Sequence, residues 1–156
     1  MHSHEQSILS LSPIIVSAVG LIATVYIAYR QYRATRDEQK LKLYERRLRI
    51  YMHVSEYISW AVRDADVDHT RSAEMLQNTR ESIFLFGKET QSYLFEIYKA
   101  GVNLHATSSE LKGPLPIGER RNQLAAEHAT LMIYFGDQLK DLHLHFKKHL
   151  NLESIN

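Results

Sequence analysis

The sequence predicts an all-α protein in which one N-terminal transmembrane helix runs on into a cytoplasmic four-helix, up-down-type bundle. Three observations carry that expectation. Residues 8–29 form an uncharged, largely apolar run of 22 residues in a chain of 156. Beyond that run, apolar residues recur at spacings of three and four, the period of an amphipathic helix. No stretch alternates convincingly with period two, so no strand is expected.

The first element is the apolar run. At 1.5 Å per residue it reaches roughly 33 Å, enough for a hydrocarbon core of about 30 Å. Pro13 lies near its start, where a missing N–H costs least. Tyr26, Tyr29 and Tyr32 cluster at its end like one half of an aromatic belt. A cleaved signal peptide would need a basic start and a small-residue cleavage site, and MHSHEQS has neither Lys nor Arg. A buried core helix is the other alternative, but such helices rarely stay uncharged for six turns. Arg30, Arg33 and Arg36 follow the run directly, with Lys40 and Lys42 behind them. By the positive-inside rule this places residues 1–7 outside and 30–156 in the cytoplasm of a single-pass inner-membrane protein, with the lipid bilayer as its first partner. Gly20, Thr24 and Ala28 form a small-residue stripe of the kind that lets membrane helices pack closely.

No Pro or Gly interrupts residues 30–64, and Leu41, Tyr44, Leu48, Tyr51, Ile58 and Val62 keep helical spacing. Leu43, Ile50, Val54, Tyr57 and Ala61 widen the apolar face, which suits a bundle better than a two-stranded seam. The segment DADVDHT breaks the pattern as an acidic, solvated loop. A second helix is expected over 70–86, capped by Thr70 or Ser72, with Ala73, Leu76, Ile83 and Phe86 on its apolar face and Gly87 at its C-terminal stop. A third is expected over 89–111, with Tyr93, Leu94, Ile97, Tyr98, Val102 and His105. Two Pro and two Gly within residues 113–118 make a clear break. The fourth helix, over 119–150, carries Leu124, His128, Leu131, Phe135, Leu139, Leu142, Phe146 and Leu150. Short loops between amphipathic helices argue for a bundle.

The net charge of +1 hides an asymmetry: residues 30–63 hold nine Lys/Arg against four Asp/Glu, and 64–156 hold ten against thirteen. Cysteine is absent, which removes disulfides, thiolate metal sites and thiol nucleophiles.

The motif Lys40-Leu41-Lys42-Leu43-Tyr44-Glu45-Arg46-Arg47, followed by Ile50-Tyr51, resembles a group of small uncharacterised bacterial single-pass membrane proteins. Their text after the anchor is close to K-L-x-L-[FY]-[DE]-R-R-x-x-[IV]-Y. Arg80, then Phe84-Leu85-Phe86-Gly87 and Tyr93-Leu94, is a second shared piece. The resemblance covers roughly residues 10 to 105, leaves the last helix out and implies no activity. In physical terms, Arg46 and Arg47 would pair with an acid of the bundle or with lipid phosphates, and Phe84 and Phe86 would be core plugs closing a helix.

Candidate chemistry is sparse. Asp64, Asp66 and Asp68 have the opening spacing of a calcium loop, but His69 stands where Gly is required and Met75 where a bidentate Glu is required. His145 and His149 are four apart and could share a helix face as metal ligands, yet no third ligand is apparent and Lys147 and Lys148 disfavour a cation. His105 and His128 fall on apolar stripes, as satisfied core residues or a proton-sensitive pair. The basic residues of the last helix are too scattered for a nucleic-acid footprint. No phosphate-binding loop, nucleophile elbow or H-E-x-x-H occurs, so neither catalysis nor a cofactor is expected. The expectation is a membrane-anchored interaction or adaptor module that binds a protein partner or forms a homo-oligomer. The alternative is an oligomeric membrane-acting effector, such as a pore-former or a stress or phage-defence protein.

Overall fold

A computed structural model describes the backbone of residues 3–114 and 116–151 and the side chains of residues 17–114 and 116–151. The described elements are all helical: α1 (Ser3–Asp64), α2 (His69–Thr79), α3 (Ser82–Leu85), α4 (Lys88–Lys112) and α5 (Glu119–Phe146). No strand occurs among the described residues. The chain divides into two compact units, residues 1–42 and 43–156, and α1 contributes to both.

The first unit corrects the membrane reading. Among the described residues, no helix is long and apolar enough to cross a membrane. Residues 1–7 and 8–16 of the expected tail and span lie outside the described side chains. From Arg30 onward the same helix carries a charge every few residues. The single-pass topology and the inner-membrane location inferred from the run fall with it. Gly20 stands in open space, and the Thr24 hydroxyl donates to its carbonyl at 2.8 Å. Tyr26, Tyr29, Arg30, Arg33 and Arg36 are exposed helix residues, with the Arg33 guanidinium 6.0 Å from the Tyr29 ring centre. Lys42 pairs with Glu38 one turn back.

The second unit is a helical bundle with one core. The stretch of α1 from Leu43 buries Ile50, Val54, Tyr57, Ile58 and Ala61, a stripe at helical spacing. Facing it are Tyr93, Leu94, Ile97 and Leu104 of α4 and Phe135, Leu142 and Phe146 of α5. Helices α4 and α5 run antiparallel. Lys148, just beyond α5, pairs with Glu89 in the first turn of α4 at 2.6 Å. Farther along, His145 lies on Tyr93, and Thr107 reaches His128 at 3.1 Å. Edge-on ring contacts of Tyr51 with Phe146 and of Tyr57 with Phe135 set α1 antiparallel to α5. The Tyr57 ring lies over Gly101 in the middle of α4, where only hydrogen fits: a Cβ there would meet the hydroxyl and stand 2.7 Å from Cζ.

The breaks have local causes. Helix α1 ends where Ala65 takes a left-handed φ of 52°, a conformation costly for a residue with a Cβ. Asp68, rather than Thr70 or Ser72, caps α2, its carboxylate accepting from the Arg71 N–H at 2.8 Å. The expected single helix over 70–86 is broken at Arg80–Glu81. Gly87 does not adopt a left-handed C-cap; it precedes α4 in extended conformation, and its carbonyl accepts from Gln91.

Candidate docking surface

The segment from α2 through α3 is amphipathic in an inverted sense. Its inward positions are Ser72, Met75, Thr79, Ser82 and Phe86, at helical spacing, and three of these five are small hydroxyl residues. Its outward positions include Leu76, Ile83 and Phe84. Two of the buried hydroxyls are hydrogen-bonded. Thr79 Oγ1 donates to the Met75 carbonyl at 2.7 Å, and Ser72 shares a 3.2 Å bond with the Tyr57 hydroxyl. Small residues let α2 lie close against its neighbours without a large apolar face.

The large apolar side chains are left outside. Phe84 is 86% exposed, Phe95 of α4 55%, Ile83 53% and Leu76 45%. They border a groove of about 650 Å³ between α2, α3 and α4, floored by Met75 and Leu94, with Arg80 on its rim. Burying these four side chains would be favourable by about 1.5–3 kcal/mol each at full desolvation. Phe84 was expected as a core plug and Leu76 and Ile83 as core residues; the structure places all three in solvent. Of that set, Phe86 is buried, edge-on to Phe146 at 5.2 Å between ring centres.

Other motif residues serve the fold. The Arg47 guanidinium is bonded to backbone carbonyls: its Nε donates to the Leu85 carbonyl at 3.2 Å and Nη1 to the His149 carbonyl at 3.1 Å. It thereby ties α1 to the ends of α3 and of the chain beyond α5. Leu43, Tyr44 and Tyr51 are half-buried, and Arg46 is exposed.

The acidic segment is the expected interhelix loop, exposed at Asp64 and Asp68 and half-buried at Asp66, and its carboxylates are engaged by neighbouring side chains. Asp64 accepts from Arg63 Nε at 2.9 Å and from Arg71 at 2.6 Å. These hydrogen bonds and charges hold its carboxyl at about 2. The Arg71 guanidinium also lies 4.9 Å from the Trp60 ring centre. Asp66 binds His105 Nδ1 at 2.8 Å and Lys112 Nζ at 2.7 Å, locking the α1–α2 connection to α4. Burial pushes the Asp66 carboxyl up, but the bonds from Lys112, His105 and Ser108 outweigh it and leave it below the usual range. With Asp68 spent as a cap, each of the three aspartates has its own protein partner.

The two histidines weighed as metal ligands do not share a helix face, because α5 ends at Phe146 and His149 lies in the following turn. The His145 ring stacks on Tyr93 at 3.7 Å. His149 stands edge-on to Phe86, and burial, with Arg47 and Lys148 nearby, pushes its pKa down. No group of three or more His, Asp or Glu placed to hold a metal occurs among the described residues. The Tyr93 hydroxyl is buried without a partner among those residues. Burial raises its pKa above the ordinary phenol value. Closed to solvent, this oxygen is out of a ligand's reach. A groove of about 640 Å³ beside it is bordered by Glu96 and Lys99, which pair with each other at 2.8 Å.

The period of three and four was legible along α2–α3, but its sign was not. The usable signal was the row Ser72, Thr79, Ser82 at the same spacing as the apolar row, marking a face suited to close packing. No family model matches the chain, and no curated protein or solved structure matches it, so no relative supplies a function.

Proposed function

We propose that the protein is a helical interaction module that works without catalysis and docks an amphipathic helix of a partner protein in the groove between α2, α3 and α4. The observation that carries this reading is the inversion of α2–α3, which spends small hydroxyl residues on the core and leaves Leu76, Ile83 and Phe84 beside Phe95 in water. Contiguous exposed apolar residues around a concavity are the mark of an interaction site. Two helices flank the groove, and a helix laid between them presents residues at i, i+3 or i+4 and i+7 to the apolar walls. Arg80 on the rim favours a partner with an acidic residue beside its apolar stripe. The alternative of a pore-forming effector rested on a membrane span and is dropped with it.

The test is affinity purification of the tagged full chain from its own host, beside Phe84→Asp and Phe95→Asp variants. Phe84 is almost fully exposed, so Phe84→Asp should leave helicity and unfolding midpoint unchanged; Phe95→Asp also loses ring contacts with Tyr98 and Lys99, and its folding is checked by circular dichroism. A companion recovered with the wild type and lost from both variants supports the reading. A companion set that both folded variants retain in full refutes it.

A further inference from the structure

A second surface lies on α1 alone, on the face opposite its buried stripe. Glu45, Leu48, Arg49, Met52, Ser55, Glu56, Ser59 and Arg63 border a concavity of about 770 Å³, with Tyr51 and Trp60 at its flanks. Met52, at its middle, is 60% exposed. Ser59 Oγ donates to the Ser55 carbonyl at 2.7 Å, so that hydroxyl needs no partner from outside. Among the described residues no ion pair engages Glu45, Arg49 or Glu56.

We propose that this face pairs with the same face of a second copy, antiparallel, about a two-fold axis passing between Met52 and Ser55. Two independent features agree on this pairing to within one residue. The first is shape. Leu48 and Met52 are large, and Ser55 and Ser59 one and two turns later are small. An antiparallel copy sets Leu48 opposite Ser59 and Met52 opposite Ser55, each pair twice, so every bulge meets a hollow. The second is charge. Arg49 and Glu56 lie seven residues apart, two helical turns, on one edge of the same face. The antiparallel copy sets Arg49 against Glu56 in both directions, and Glu45 approaches Arg63. A parallel copy would instead set Leu48 on Leu48, Met52 on Met52 and Arg49 beside Arg49, so bulges and like charges would collide. The contact spans one helix face from 45 to 63, about 28 Å, which places it among small interfaces. The dimer is reversible and concentration-dependent. It uses a different surface from the α2–α3–α4 groove and does not depend on that reading.

The chain contains no cysteine, so single thiols report the geometry directly. Full-length Leu48→Cys and Ser59→Cys variants are mixed under mild oxidation. Antiparallel pairing yields mixed 48–59 disulfides about fivefold or more in excess of 48–48 and 59–59 products. In parallel, sedimentation velocity across a concentration series follows charge variants. Arg49→Glu weakens the dimer about tenfold, the sum of two exposed pairs turned repulsive. Adding Glu56→Arg restores it. Predominance of 48–48 and 59–59 products overturns the proposal in favour of parallel pairing. A monomer at every concentration overturns it outright, and so does a dimer that the charge reversal leaves unchanged.

Discussion

Replacing Gly101 with alanine should destabilise the bundle, although alanine is the better helix former. In an open helix the change stabilises by about 0.5–1 kcal/mol. Here the new methyl meets the Tyr57 ring, with Cζ 2.7 Å away and the hydroxyl nearer still. The ring cannot step aside freely, because Tyr57 is only 1% exposed, bonded to Ser72 at 3.2 Å and edge-on to Phe135 at 6.5 Å. Overpacking costs about 1–3 kcal/mol, and losing the buried hydrogen bond adds about 1 kcal/mol. The net loss is about 2 kcal/mol, worth roughly 10 °C in Tm for a domain of this size. Urea unfolding followed by far-UV circular dichroism measures it. The same substitution in a Tyr57→Phe background should cost about 1 kcal/mol less, since the nearest clashing atom is gone, and that coupling is the diagnostic. A Gly101→Ala variant as stable as the wild type would refute the packing of Tyr57 over α4.

Two further outcomes follow from the α1–α2 connection. Because hydrogen bonds hold the Asp66 carboxyl below its unfolded value, its contribution is complete above about pH 5 and is lost as pH falls through the folded value. Asp66→Asn should therefore cost about 1 kcal/mol near neutrality and flatten the acid limb of the urea midpoint against pH; an unchanged acid limb would contradict the role given to Asp66. Ala65→Gly should stabilise the protein by about 0.5–1 kcal/mol, because the φ of 52° suits glycine and strains alanine, and a lowered unfolding midpoint would show that the left-handed turn is not maintained.

How far the sequence was legible differs from element to element. Helical period, the acidic break after α1 and the Gly/Pro break before α5 were all readable, because they depend on neighbours in the chain. The membrane reading failed for a related reason: a hydropathy run registers apolar residues one segment at a time, and among the described residues no helix is long and apolar enough to cross a membrane. The interruption at Arg80–Glu81 has no Gly or Pro to announce it. Gly101 looked like any other helix residue until Tyr57, 44 residues earlier, was set upon it.

By itself, then, the sequence determined an all-helical chain with a stripe on α1, α4 and α5 that had to be buried, since periodicity is a property of one segment at a time. Which face of α2–α3 turned inward was decided only in the tertiary structure. Close approach to α1 and α4 favoured Ser72, Thr79 and Ser82 over the larger Leu76, Ile83 and Phe84, and a preference of that kind exists only once the neighbouring helices are in place.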